Sequence, residues 1–122
     1  MKAGVPSMSR EALKYLYDVS VAAQKVHAFT EAKQFADYQG DDLLRSAVER
    51  QFEIIGEALN QLSRRESDVC QKITGYRRAI AFRNILIHGY AEIDDEVVWR
   101  VLKDDLPVLF QDVLDLLASD EK

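Results

Sequence analysis

The chain has 122 residues, of which 48% are hydrophobic and 30% charged, and its net charge is −5. That is the balance of an ordinary water-soluble protein, long enough for one domain over residues 1–122 with a core of its own. No apolar run approaches the length of a membrane span and Met1 to Ser9 lack the apolar core of a signal peptide, so residence in the cytoplasm, away from membranes, is expected; the acidic balance argues against a general nucleic-acid binder.

The hydrophobic period is helical throughout. Ala12, Leu16, Val19, Ala23 and Val26 draw the stripe of a first helix, with Ser9 as its N-cap. Thr30 to Gly40 is weaker and reads as a helix end and a connection, although it contains Phe35 and Tyr38. Asp41 or Asp42 can cap a second long helix striped by Leu44, Val48, Ile55, Leu59 and Leu62, which runs out in the polar stretch from Ser63 to Asp68. Gly56 inside that helix costs about 1 kcal/mol relative to alanine, which close approach of another backbone would compensate. A third helix is predicted from about Gly75 to His88, with Gly89 just past its end. A polar link, Ala91 to Asp95, leads to a fourth helix holding Val97, Val98, Trp99 and Leu102. Pro107, after Asp104 and Asp105, fits the first turn of a fifth, with Leu106, Leu109, Phe110, Val113 and Leu117 as its stripe. The fold class is therefore all-α, an antiparallel bundle of four to five helices.

The one cysteine, Cys70, can form no internal disulfide and is expected to be a packing residue rather than a catalytic thiol. No cluster of His, Cys and Asp has metal-ligand spacing, so neither metal nor other cofactor is expected.

Charge is unevenly spread. Arg64, Arg65, Lys72, Arg77, Arg78 and Arg83 face only Glu66 and Asp68, while the chain from Glu92 onward is acidic. The basic stretch runs into Arg83-Asn84-Ile85-Leu86-Ile87-His88-Gly89-Tyr90, which gathers a cation, an amide, a titratable imidazole and a phenol. At about 100° per residue, Phe82, Ile85 and Leu86 share the face predicted to pack into the bundle, and Arg83, Asn84 and His88 fall opposite, with Ile80 and Ile87 beside them. Isoleucines around a polar trio suggest an interface with a second copy, which would bring two sets of Arg83 and His88 together.

Such a pair suits RNA cleavage without metal. A base must take the proton of the 2′-hydroxyl, an acid must protonate the 5′-oxygen, and positive charge must hold the pentacoordinate phosphate. Histidine titrates near neutrality, and His88 at a helix C-terminus is favoured in its protonated form. Arginine forks onto phosphate oxygens, and Asn84 can orient His88 or donate to phosphate. By spacing alone, a solvated Arg83 and a His88 that interacts only with the last helical carbonyls account for the same residues equally well.

Arg-Asn-x-x-x-His-x-Tyr at a helix end resembles the signature of the HEPN superfamily, and within it the HepT type of toxin. Ala47-Val48-Glu49-Arg50 followed by Glu53 to Ala58 is similar to that family's second helix, and Ile93-Asp94, Val98-Trp99 and Leu106-Pro107 to its C-terminal part. The family often has Pro-Trp near the start of the third helix, where Gly75-Tyr76 stands here. The resemblance implies a helical homodimer whose Arg and His motifs meet in the dimer cleft. It implies a metal-independent endoribonuclease toxin of a type VII HepT/MntA toxin–antitoxin system, partnered by an MntA-type nucleotidyltransferase antitoxin. By motif position, Arg83 and His88 are the catalytic pair, Asn84 the supporting residue and Tyr90 the site of adenylylation. AMP on Tyr90 would place phosphate charge and bulk beside the cationic cleft that RNA needs.

Glu57 on the second helix could reach that cleft, but a solvated or Arg-paired surface carboxylate is the expectation, as is an Arg50–Glu57 pairing through an intermediate residue. Arg77 and Arg78 are candidate RNA-backbone ligands if they act as one patch. His27 reads as structural and Trp99 as core. A reading of another class remains open, in which a non-catalytic HEPN protein uses Arg83 and His88 only to bind nucleotide or to scaffold a nucleotidyltransferase.

Overall fold

In the computed structural model, which describes residues 8–89 and 93–120, Ser9 opens the first helix. Its hydroxyl accepts the amide of Ala12, and α1 runs over Arg10–Thr30. Ser9 also donates its backbone N–H and its Oγ to the Glu66 carboxylate, which ties the start of α1 to the end of the helix beside it. The predicted stripe from Ala12 to Val26 is fully buried.

The connection after α1 holds one more element than its sequence suggests. Thr30 donates its hydroxyl back to the Val26 carbonyl at 2.7 Å, and the chain turns through Ala32 at a positive φ of 62°. The Gln34 amide then donates to the Asp37 carboxylate at 2.8 Å, and α2, Phe35–Gln39, forms a little over one turn. Its aromatics explain why. Tyr38 is completely buried with its ring 5.5 Å from that of Trp99, and Phe35 lies 6.2 Å from the same ring. Trp99, expected in the core, is half-buried and packs against it, fastening α2 to the C-terminal part of the chain.

The central helix, α3 (Asp42–Arg65), is capped by Asp41, whose carboxylate accepts the Leu44 amide. It ends on Arg64 and Arg65, cations suited to the negative end of the helix dipole. One turn follows, α4 (Ser67–Cys70), and it buries Cys70. The thiol donates to the Leu59 carbonyl at 3.6 Å, and burial pushes its pKa up to about 12. Cys70 is a packing residue, and a thiol reagent at pH 8 should leave it unlabelled until denaturant is added. Labelling of the folded protein at the rate of a free thiol would contradict that placement.

Gly75, at a φ of 80° that only glycine adopts freely, turns the chain into α5, Tyr76–His88. Gly89 stands just past the helix end, as expected, but not in the left-handed conformation common at that position. Its backbone is extended at φ −73°, and a Cβ there would stand 2.5 Å from the Ile85 carbonyl, to which the Gly89 amide donates at 2.8 Å. The predicted link to the next helix lies partly outside the described residues, and α6, Asp95–Arg100, starts from an Asp94 cap. The fourth and fifth helices of the sequence reading are continuous. A π-helical segment, Val101–Asp105, joins α6 to α7, Leu106–Asp120. Pro107 has no N–H to offer, and the Leu106 amide donates to Val101, five residues back, so one extra residue in the turn absorbs the break.

The described residues contain no strand, and the architecture is the predicted all-α bundle. α3 lies at its centre, with α1 and α5 packed along it, and α7 packs on α1 rather than on α5. The Thr74 amide, donating to Asp112 at 2.7 Å, anchors the turn before α5 to α7. None of the described helices is long and apolar enough to cross a membrane.

Candidate active site on the fifth helix

The crossing of α3 and α5 sets the site. Gly56 is buried there, and the backbone approach that its position implied is present: a Cβ on Gly56 would lie 3.0 Å from the Ala79 carbonyl and 2.2 Å from the Arg83 Cβ. The stem of Arg83 therefore runs directly over the glycine. The next residue on α3, Glu57, takes the head of the same side chain. Its Oε1 accepts from Arg83 Nη2 at 2.7 Å, and its Oε2 accepts from Gln61 at 3.1 Å. Arg83 Nη1 donates to the Asn84 side-chain oxygen at 2.9 Å, and Nε is buried with no hydrogen-bond partner among the described residues. A cleft of about 290 Å³ opens beside the guanidinium between α1, α3 and α5, bordered by Tyr15, Arg50, Glu53, Glu57 and Ile87.

With side-chain exposures of 21% for Arg83 and 44% for Glu57, the ion pair adds about 1 kcal/mol or less to stability. Its effect is geometric. Glu57 is the Arg-paired carboxylate expected, but its partner is Arg83, while Arg50 pairs with Glu53 at 3.4 Å on its own helix.

The face that α5 turns to the core differs from the predicted one by about 50° of rotation. Phe82 and Leu86 are buried as expected, but Ile85 is 57% exposed and Ile87 44% exposed. The cause is the course of α7. Because α7 follows α1, no described helix packs closely on the flank of α5 that carries Ile85, and a hollow of about 220 Å³ remains there between α5 and the segment from Val101 to Leu109. The rotation draws Arg83 against α3 and leaves Asn84 and His88 fully outward. Among the described residues the His88 side chain makes no hydrogen bond or ion pair.

Arg77, Ala81, Asn84 and His88 are all exposed and, at spacings of four, three and four, line up along one stripe of α5. Arg77 and Arg78 have different neighbours rather than forming one patch. Arg77 donates to the Tyr76 hydroxyl at 3.0 Å and covers that ring, whereas Arg78 faces Asp105 at 3.9 Å on the far flank. His27 is exposed in the last turn of α1, at the rim of a separate groove with Lys103, and is not part of the core. Tyr90 lies outside the described residues. Gln61 was missed by the sequence reading; its i,i+4 relation to Glu57 is the signal that could have found it. No group of three or more His, Cys, Asp or Glu side chains among the described residues converges as a metal-binding set.

An all-α bundle with Arg, Asn and His on the last turns of one helix is the arrangement of a HEPN-like domain. The family model for HepT-like ribonucleases matches residues 19–116, from within α1 almost to the end of α7. A protein of Methanocaldococcus jannaschii assigned as an RNase is 32% identical over 106 residues, covering 85% of this chain and 94% of its own. A protein of Thermococcus cleftensis assigned as the ribonuclease HepT is 33% identical over 102 residues, covering 84% and 92% respectively. No solved structure gives a significant match. The chain belongs to the HepT-like ribonuclease family.

Proposed function

We propose that the protein is a metal-independent endoribonuclease, the toxin of a type VII HepT/MntA pair, with an active site shared by two protomers. The observation that carries this reading is the treatment of the motif residues. Arg83 is held on its stem by Gly56 and on its head by Glu57 and Asn84, while His88, one helical turn and a residue further, is exposed and unengaged among the described residues. A structural arginine would not need an unpaired histidine beside it, whereas phosphodiester cleavage uses both.

In the proposed reaction one His88 takes the proton of the 2′-hydroxyl as that oxygen attacks phosphorus. The His88 of the second copy gives a proton to the departing 5′-oxygen, leaving a 2′,3′-cyclic phosphate and a 5′-hydroxyl. Arg83 stabilises the charge that develops on the phosphorane, and Asn84 supports it. The exposed isoleucines 85 and 87, on either side of the Arg77–His88 stripe, favour a homodimer that pairs α5 with its copy. Arg77, on that stripe, is the better placed of the two candidate RNA-backbone ligands. Tyr90, two residues beyond His88, is the proposed acceptor of AMP from the antitoxin, with pyrophosphate leaving from ATP.

Purified protein free of its antitoxin should cut single-stranded RNA in EDTA and leave cyclic phosphate ends. Cleavage that appears only when a divalent metal is restored would remove the metal-independent mechanism. Incubation with an MntA-type antitoxin and ATP should add AMP to the intact mass, and Tyr90→Phe should abolish the adduct. Persistence of the adduct in that variant would move the modification elsewhere.

A further inference from the structure

We infer that Glu57 is a positioning residue for Arg83, one that sets which N–H groups of the guanidinium face the phosphate and how much of its charge the RNA meets. The inference rests on the active-site reading above. Glu57 Oε1 takes one N–H of Nη2 at 2.7 Å, and Asn84 takes one of Nη1 at 2.9 Å. Nε is buried without a partner among the described residues, and by count each terminal nitrogen keeps one further N–H. One N–H from each terminal nitrogen is the pair with which a guanidinium forks onto two phosphate oxygens. Gln61, donating to the other Glu57 oxygen at 3.1 Å, restrains the carboxylate in turn.

Two consequences follow from a carboxylate in that place. It holds the fork in one orientation, which lowers the entropic cost of meeting the transition state. It also offsets part of the Arg83 charge, which weakens binding of the ground-state polyanion. Removing the charge while keeping the shape therefore moves the two kinetic constants in a way that a purely structural contact does not. Glu57→Gln should lower kcat about tenfold. It should also lower KM about threefold, since one partly exposed charge is worth on the order of 0.2–1 kcal/mol. Glu57→Asp keeps the charge but, with the Arg83 stem fixed over Gly56, falls short of Nη2. Its kcat should drop as in Glu57→Gln, with no fall in KM.

The measurement is steady-state cleavage of one defined single-stranded RNA by the full chain, with the folded fraction of each variant taken from circular dichroism. Glu57→Gln with kcat and KM both within twofold of the parent, alongside an inactive Arg83→Ala, would overturn the positioning role. So would a loss of rate that merely follows the folded fraction. Cleavage that survives Arg83→Ala would overturn the underlying active-site reading, and the role of Glu57 with it.

Discussion

His88→Ala should abolish RNA cleavage and leave the fold untouched. The side chain is exposed, and among the described residues nothing depends on it for packing or hydrogen bonding, so its removal should move the melting temperature by less than surface substitutions usually do. General acid–base catalysis by a positioned histidine accounts for about 10²–10⁴ in rate. If each active site needs one His88 as base and a second as acid, a single alanine removes both contributions, and the loss should reach the upper end of that range or beyond. Arg83→Ala should be as damaging to kcat, and Arg83→Lys should recover little because an ammonium lacks the planar fork. A site shared between two protomers, as proposed, would have its own signature. When inactive His88→Ala protein is mixed with the parent and allowed to exchange subunits, mixed dimers hold only one His88. Activity should then fall with the square of the parent fraction. A linear fall would mean that each protomer works alone, and a His88→Ala protein that cuts like the parent would remove the catalytic assignment outright.

Much of this arrangement was legible in the sequence because it depends on local physics. Ser9 and Asp41 cap helices because a short polar side chain ahead of an apolar stripe has few other uses, and both do so. Gly56 signalled a close helix contact because a mid-helix glycine is otherwise a cost. What escaped was decided by neighbours distant in the chain. Phe35 and Tyr38 make a helix out of a connection only because Trp99 arrives from α6 to cover them. The angular reading of α5 assumed a core on the side of Phe82, Ile85 and Leu86, but α7 packs on α1, and the helix turns to face α3 instead. The same rotation decided the site. It drew the Arg83 stem inward to Glu57, with Asn84 still bonded to its head, and left the exposed His88 without a contact to either, whereas spacing had placed all three side by side on one surface. The bond between Arg83 and Glu57 spans 26 residues, and no helical period predicts it. The π-helical segment likewise needs the three-dimensional continuity of α6 and α7; from sequence, Pro107 reads only as a start.

Gly56→Ala should destabilise the protein, although alanine is the better helix former, and should impair cleavage beyond the loss of stability. Two opposing effects decide the sign. Alanine gains about 1 kcal/mol of intrinsic helix propensity over glycine. Against this, its methyl group would sit 2.2 Å from the Arg83 Cβ, 2.8 Å from its Cγ and 3.0 Å from the Ala79 carbonyl. The nearest of these atoms is fixed to the backbone of α5, so no rotamer change relieves the overlap. The helices must separate by about 1 Å, which opens the packing around Phe52 and Phe82, whose rings now meet edge to face at 5.3 Å. Overpacking of this kind costs about 1–3 kcal/mol and more where backbone must move, which outweighs the propensity gain. A net loss of about 1–2 kcal/mol corresponds to a melting temperature lower by about 4–8 °C for a chain of this size. The displacement also carries the Arg83 stem away from Glu57, so kcat per folded molecule should fall even at temperatures where the variant is fully folded. Arg83→Ala keeps the Cβ and should not restore the stability of Gly56→Ala, because the closest overlap remains. A Gly56→Ala variant that melts higher than the parent would mean that α3 and α5 are not in contact at this residue, and the placement of Arg83 would have to be abandoned with it.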